Sequence, residues 1–230
     1  MKLLTLNCHS WQEENQLDKI NYLAQIIKAE DFDVIALQEV SQHMLGKQFK
    51  DNLKSDNYAV VLNEALQKIG GPNYEMVWDF AHIGFQVYEE GLCILSKHPI
   101  VNKESFFVSA SEDTLNWKSR KIVNVTVRYK GEEIDIYSCH LGWWDDEEEP
   151  FKEQVERLNK RLSGSRRSFL MGDFNNNANV RGKGYDYIQD LGWLDTYQLA
   201  EEKDNGITVQ GKIDGWEKNS IGLRLDCIFT

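Results

Sequence analysis

The sequence predicts an α/β protein in which two packed β-sheets are flanked by helices. Short apolar runs, typical of buried strands, alternate along the whole chain with segments of helical periodicity. One such run, 169–171, ends at Gly172. The dipeptide Lys130-Gly131 joins two alternating segments, 121–129 and 132–139, as a hairpin turn would. Strand pairs and crossover helices are therefore both expected.

The first half of the chain predicts these elements in order. An apolar face over 18–30 indicates a helix that links strands 3–6 and 34–38. The face is formed by Leu17, Ile20, Leu23, Ala24 and Ile27. A weaker helix is expected over 42–54, a strand over 58–62 and an irregular insertion over 63–90, which suits either a binding loop or a satellite aromatic core.

The second half is more regular. The run 91–96 predicts another buried strand, and 150–162 has one apolar helical face. A short helix is expected over 185–191 and a final strand over 223–229.

Composition indicates one soluble domain over residues 1–230. No apolar run approaches the ~20 residues that cross a bilayer, so no membrane segment is expected. The start of the chain reads as a strand and not as a secretion signal. The four cysteines lie in or beside apolar runs, as reduced core thiols do, which favours a cytoplasmic location.

The formal net charge of -11 argues against a nucleic-acid partner. An acidic surface repels polyanions and loses the counterion release that drives most nucleic-acid binding. A local metal site can offset this repulsion, so nuclease activity is not excluded by charge alone.

Five predicted strands end in side chains suited to catalysis. These are Asn7, Glu39, His140, Asp173 and Asp226. Asn175 follows Asp173 by two residues. Ligand crevices in α/β sheets form at the carboxyl ends of strands, so one shared site is a better explanation than five unrelated turn residues.

These stretches also resemble a known superfamily. Thr5-Leu6-Asn7, Leu37-Gln38-Glu39-Val40, Ser138-Cys139-His140-Leu141, Gly172-Asp173-Phe174-Asn175 and Arg224-Leu225-Asp226 resemble, in order, the motifs of the metal-dependent endonuclease/exonuclease/phosphatase superfamily. The resemblance implies a deoxyribonuclease-like four-layer α/β sandwich with its site at the top of two mixed sheets.

Glu39 is the best candidate metal ligand, since it follows a strand that is apolar apart from Gln38. Hard oxygen ligands without a thiolate favour Mg²⁺, with Mn²⁺ as the alternative. Asn7 would add a carbonyl oxygen or orient Glu39 by a hydrogen bond; its alternative role is that of a cap or turn residue.

The remaining candidates suit phosphoester hydrolysis. Asp173 would orient or deprotonate the attacking water, and Asn175 would donate to a non-bridging phosphate oxygen. His140 would donate to the phosphate or the leaving oxygen. By resemblance to pancreatic-type deoxyribonucleases, Glu90 is the expected partner of His140. Arg120 would hold a phosphate oxygen or, alternatively, lie on the surface.

In the superfamily, the carboxylate of an Arg-x-Asp motif orients a histidine from a later Ser-Asp-His motif. The sequence contains that carboxylate, Asp226, but not the later motif. We therefore expect the natural protein to continue past Thr230, and the 230-residue form to be impaired. A homologue that kept the fold and lost turnover is the alternative.

Specificity is expected from the stretch 140–149, where Trp143 and Trp144 precede five acids. Such a rim repels a nucleic-acid backbone and suits stacking on a sugar ring, although the acids also suit a helix start. With 79–82 and 88–95, which add Asp79 and His82 as substrate contacts, it resembles a bacterial branch that includes maltose 6'-phosphate phosphatase.

The leading hypothesis is therefore a Mg²⁺-dependent phosphomonoesterase acting on a small phosphorylated sugar. A phosphodiesterase of the same fold, either a nuclease or a sphingomyelinase-like enzyme, and a non-enzymatic binding protein are the alternatives.

Overall fold

A computed structural model describes residues 1–162, 166–213, 215–217 and 219–230. The strands are β1 (Leu3–Asn7), β2 (Val34–His43), β3 (Gln48–Lys50), β4 (Leu53–Lys54), β5 (Glu75–Gly84), β6 (Tyr88–Ser96), β7 (Ile100–Phe107), β8 (Lys121–Tyr129), β9 (Glu132–His140), β10 (Ser168–Asp173) and β11 (Asp226–Phe229). The helices are α1 (Gln16–Glu30), α2 (Tyr58–Lys68), α3 (Phe151–Arg161), α4 (Gly184–Asp190) and α5 (Thr196–Leu199).

Two mixed sheets form the centre of the protein. One has the strand order β1-β2-β6-β5 and the other β11-β10-β9-β8-β7, while β3 and β4 form a separate ribbon. In each sheet one pair is parallel, β1 with β2 and β9 with β10. Parallel neighbours need a crossover, which α1 and α3 supply.

The apolar residues divide into three cores that define four layers. Alternate residues of β2 face opposite ways: Val34 and Ala36 belong to the core between the sheets, while Ile35 and Leu37 pack under α1 and α2. A third core lies between the second sheet and α3 and α4. The predicted arrangement of two packed mixed sheets flanked by helices is confirmed.

The predicted helix over 42–54 is wrong. β2 continues to His43, and the rest of this stretch forms the β3–β4 ribbon. The predicted strand over 58–62 is also wrong, because Asn57 caps a helix there by accepting a hydrogen bond from the Ala59 backbone N–H. The capping residue decides the structure where an apolar run alone is ambiguous.

The stretch 63–90 is not an irregular insertion. It contains the end of α2, then β5 and the start of β6, which pair antiparallel. A shift in their register between Phe80 and His82 interrupts the alternation that would have indicated a strand. On α1, Leu17 is 60% exposed, so it does not belong to the buried face.

The other predicted elements match the structure closely. The hairpin 121–139 corresponds to β8 and β9, and the helix 150–162 to α3. Over the described residues, none of the helices combines the length and apolar character that a membrane crossing requires.

Gly172 of β10 lies where this strand closely approaches its neighbour β9. A Cβ added to Gly172 would lie 1.8 Å from the carbonyl oxygen of Cys139, on the neighbouring strand. We expect Gly172→Ala to lower the free energy of unfolding by about 2–4 kcal/mol, because the backbone cannot retreat without breaking the ladder. Urea denaturation measures this change.

Gly211→Ala is the matched control, since open space surrounds that position. Equal unfolding midpoints for the two variants would contradict the close approach at Gly172.

Candidate active site

The strand register brings the predicted residues to one edge of the two sheets. Asn7 ends β1 beside Gln38 of its parallel neighbour β2, and Asp173 ends β10 beside His140 at the end of β9. β11 runs antiparallel to β10, so its first residue, Asp226, also lies opposite Asp173.

Asn7 connects the two sheets at this edge. Its Nδ2 donates to Glu39 Oε1 at 2.8 Å and to Asp173 Oδ2 at 3.1 Å. Its Oδ1 accepts from the His9 backbone N–H at 3.1 Å. Of its two predicted roles, orienting Glu39 is therefore the one that this geometry displays.

Glu39 lies in a β-bulge of β2, where the pairing with β6 shifts between Leu37 and Val40. Its φ of 51° is in the left-handed region, which non-glycine residues rarely occupy outside constrained sites. Burial and repulsion by Glu90 raise the pKa of Glu39 to about 7, and the hydrogen bond from Asn7 partly opposes them.

Asp173 and Asn175 form a tight turn after β10. The Asn175 backbone N–H donates to Asp173 Oδ1 at 2.8 Å, and Asn175 Nδ2 donates to the Leu141 carbonyl at 2.9 Å. Asn175 also has a left-handed φ, of 48°. Burial raises the pKa of Asp173, although the hydrogen bonds from Asn175 and Asn7 counteract it.

His140 and Arg120 are buried together. Arg120 NH1 lies 3.3 and 3.4 Å from the two ring nitrogens of His140, and His140 Nε2 lies 3.8 Å from Glu39 Oε1. Burial and the nearby Arg120 charge hold the pKa of His140 well below its usual value, so the imidazole is neutral at pH 7. Arg120 is 5% exposed, which excludes the alternative of a surface arginine.

Glu90 is the predicted partner of His140, but the structure pairs it with His82 instead. Its Oε1 lies 3.3 Å from His82 Nε2, and both residues are buried. The β5–β6 register places these two residues opposite each other. This pairing escapes sequence analysis because it depends on the register shift in β5.

Asp226 adds a third carboxylate to the cluster. Its Oδ1 is buried and has no hydrogen-bond partner among the described residues. Burial and repulsion by Asp173 raise the pKa of Asp226 to about 7.

The sequence matches the family model of the endonuclease/exonuclease/phosphatase family over residues 4–230. The chain belongs to this family. Its members are hydrolases that act on phosphoesters and generally depend on a divalent metal. No curated protein matches the sequence.

Solved structures of the family share this fold. A family member from Leptotrichia buccalis C-1013-b is 40% identical with a TM-score of 0.92, and the match covers 100% of this chain and 86% of that one. A mannosyl-6-phosphatase from Bacteroides thetaiotaomicron VPI-5482 is 19% identical (TM-score 0.66; 99% and 83% covered). D. rerio TDP2, humanized by 14 mutations, is 14% identical (TM-score 0.65; 100% and 82% covered). The latter two likenesses show the fold alone.

The residues of this family site fit a hard divalent cation. Glu39, Asp173 and Asp226 place negative charge at one edge, and the unpartnered Asp226 Oδ1 is an unused oxygen ligand. Within the described ranges, no three His, Cys, Asp or Glu side chains are close enough to hold an ion by themselves. A divalent ion that keeps several of its waters can be held by one or two carboxylates.

Three of the predicted specificity residues have structural partners. Asp79 pairs with Lys121 at 3.0 Å. Trp144 packs on Phe151 and Tyr187, with ring centroids 6.3 and 5.8 Å away. His82 Nε2 contacts the Glu90 carboxylate, and His82 Nδ1 lacks a hydrogen-bond partner among the described residues.

Several acids of the run 145–149 have structural partners, although only Glu149 is buried. Asp145 pairs with Lys183 and Asp146 with Lys118. Glu149 is buried, and its carboxylate accepts hydrogen bonds from the backbone N–H groups of Ala110 and Ser111, at 2.7 Å each. The stretch therefore anchors neighbouring loops as well as forming a rim.

A pocket of about 430 Å³ adjoins the carboxylate cluster at Asn175. It is lined by Trp143, Trp144, Asp145, Asp146, Asn175, Asn176, Asn177, Val180, Lys183, Gly215 and Trp216. Lys183 and Trp216 are not among the predicted site residues. Lys183 lies in the loop after β10, and a loop at the carboxyl end of a strand is a common place for binding residues, so its position could have indicated a role. Nothing in the pattern around Trp216 indicates a site.

The raised pKa of Glu39 predicts how metal and pH affect stability. The folded state favours its protonated form, so the stability that protonation contributes is present below pH 4.5 and is lost as pH rises through about 7. In metal-free protein at pH 8, Glu39→Gln should therefore raise the free energy of unfolding, by at most about 3 kcal/mol. At pH 4 the two proteins should differ little.

Mg²⁺ should reverse this order at pH 8, raising the Tm of the wild type and not that of Glu39→Gln. Thermal unfolding with Mg²⁺ or a chelator measures both effects. The exposed Glu64→Gln is the matched control. An equal Mg²⁺ response in wild type and Glu39→Gln would remove Glu39 as a ligand.

Proposed function

We propose that this protein is a Mg²⁺-dependent phosphomonoesterase that acts on a small phosphorylated sugar. The observation that carries the proposal is the buried guanidinium of Arg120, which lies near the carboxylate cluster but forms no ion pair with a carboxylate among the described residues. A site that holds an unpaired cation next to grouped anions suits a ligand with an anionic phosphate and a bound metal ion.

The Arg120 guanidinium is available for an anion. Among the described residues, its side-chain hydrogen-bond contact is with the His140 ring, and its Cζ lies 5.8 Å from the centre of the Trp143 ring. Burial lowers the pKa of Arg120, while the fields of Glu90, Glu39 and Asp173 raise it. A buried charge without a close counterion is costly, and a phosphate would relieve that cost.

Glu39 would be the carboxylate ligand of the cation, with Asn7 keeping Glu39 in place. When bound, a divalent ion polarises a phosphoryl oxygen and lowers the pKa of coordinated water.

The chain's own residues would perform the remaining work. Arg120 binds the phosphate and fixes its orientation. Asp173, held by the Asn175 backbone and Asn7, accepts a proton from the attacking water. The second N–H of the Asn175 side chain donates to a phosphate oxygen as negative charge grows there. His140 is neutral, so it positions Arg120 and donates a hydrogen bond to the phosphate.

A small substrate is favoured over a nucleic acid. The net charge of -11 disfavours a long polyanion. Pairing of Asp145 and Asp146 with lysines leaves little free positive charge at the rim for a nucleic-acid backbone. The tryptophans and side-chain amides of the pocket beside Asn175 suit a sugar ring and its hydroxyls, which supports a sugar phosphate as the substrate class.

The decisive experiment compares phosphate release from sugar monophosphates with cleavage of bis-(p-nitrophenyl) phosphate and plasmid DNA. The full-length protein is assayed with Mg²⁺, with Mn²⁺ and with a chelator. We expect metal-dependent release from a sugar monophosphate and poor cleavage of both diesters. Efficient cleavage of a diester, with no release from any monoester, would overturn the proposal.

Substitution of Arg120 tests the phosphate contact. Arg120→Lys keeps the charge but loses the planar fork, and we expect kcat/KM to fall about 10²-fold. Arg120→Ala should cost more. Circular dichroism verifies folding, and the exposed Arg128→Ala is the control. A kcat/KM for Arg120→Lys within twofold of the wild type would exclude a bidentate contact.

A further inference from the structure

We propose that the pocket beside Asn175 binds the leaving group of the substrate, and that Trp216 determines which leaving groups it accepts. This inference rests on the proposed phosphatase function. It adds a role for Trp216, a pocket residue that belongs to none of the strand-end motifs. The leaving group is an uncharged polyhydroxylated ring.

The location of the pocket separates two tasks. Among the described residues, Asn175 lines the pocket and also contacts the strand-end cluster of Asn7, Glu39, His140 and Asp173, because its backbone N–H donates to Asp173 Oδ1. A phosphate held by that cluster would therefore direct its ester group past Asn175 into the pocket. The volume of about 430 Å³ far exceeds the size of a phosphate and lies within the usual range for small-molecule sites, roughly 300–1,000 Å³.

Three indoles, those of Trp143, Trp144 and Trp216, form the apolar part of the pocket together with Val180, and two of them are connected to its rim and floor. The backbone of Gly215 lies against Trp143, since a Cβ at that position would be 3.0 Å from Trp143 Cζ2. Trp216 Nε1 donates to Asn175 Oδ1 at 3.4 Å. The turn 215–216 is thus attached both to Trp143 and to the amide at the catalytic edge, so a group seated between the indoles is fixed relative to the phosphate.

The polar part of the pocket suits hydroxyl groups rather than a second charge. Each charged side chain of its lining already has a counterion: Asp145 with Lys183, and Asp146 with Lys118. These pairs can still exchange hydrogen bonds with hydroxyls, as can the side-chain amides of Asn176 and Asn177. A second phosphate would meet no unpaired cation among the described lining residues and would be repelled by the nearby carboxylates.

Trp143 contributes its ring to the pocket wall, while its Nε1 is buried from solvent and has no acceptor among the described residues. A sugar ring combines the required features, with apolar C–H faces for the indoles and hydroxyls around its edge.

The test uses four probes that differ in the leaving group. Glucose 6-phosphate carries one sugar ring, glycerol 3-phosphate has a shorter leaving group without a ring, fructose 1,6-bisphosphate adds a second phosphate, and adenosine 5'-monophosphate adds a planar base. For the wild type we expect glucose 6-phosphate to have the highest kcat/KM of the four.

Trp216→Ala should lower kcat/KM for glucose 6-phosphate about 10-fold, mainly through KM, because the stacking surface is lost. Glycerol 3-phosphate should change less than twofold. Trp216→Phe, which keeps a ring but loses the N–H, should lie between wild type and Trp216→Ala. Ile221→Ala is the control within the same segment, since Ile221 is 85% exposed and outside the pocket lining.

Two results would overturn the inference. An equal loss with both glucose 6-phosphate and glycerol 3-phosphate would mean that Trp216 only supports the fold of the site. A preference for adenosine 5'-monophosphate or for the bisphosphate would mean that the pocket takes a base or a second anion.

Failure of the proposed function gives a different result, namely no release of phosphate from any probe. In that case calorimetric titration of glucose 6-phosphate decides the inference separately. Weaker binding to Trp216→Ala than to wild type, with inorganic phosphate binding unchanged, supports the pocket assignment; equal binding refutes it.

Discussion

The hydrogen bonds of Asn7 hold together a site that electrostatics would otherwise separate. Glu39 and Asp173 come from different sheets and, when ionised, repel each other. One amide nitrogen donates to both carboxylates, at 2.8 and 3.1 Å. Further buried bonds secure the same junction, since Gln38 Nε2 donates to Ser138 Oγ, which in turn donates to the Leu37 carbonyl. Packing alone would place the sheets, but these polar contacts fix the relative positions of the strand ends.

The site concentrates negative charge that the metal-free protein holds at a cost. The pKa of both Glu39 and Asp226 is raised to about 7, in each case by burial first and by a neighbouring carboxylate second. Left-handed backbone at Glu39 and at Asn175 adds local strain. Such features reduce stability without a ligand, and they are consistent with selection for binding a cation and an anion together.

An element or site contact could be predicted from the sequence where it depends on neighbouring residues, and not where it depends on residues far apart in the chain. β8, β9 and α3 followed from local alternation or periodicity, and the strand-end residues followed from position along strands. Helix α2 did not, because the N-cap formed by the Asn57 side chain outweighed the apolar pattern. The β3–β4 ribbon did not follow from the local pattern either. The pairing of Glu90 with His82 depends on a register shift, and the approach of Trp216 to Asn175 depends on contacts 41 residues apart in sequence. Neither leaves a signal in local sequence.

The position of Arg120 explains why a strongly acidic protein can still recognise an anion. Its guanidinium is buried, and the rim acids Asp146 and Asp145 are paired with Lys118 and Lys183. Long-range repulsion at a net charge of -11 therefore acts on extended polyanions, which must approach many surface acids at once. A single phosphate feels mainly the local charges of the cleft. Under the proposed function, selection by size would follow from how charge is distributed between surface and interior, not from the net charge alone.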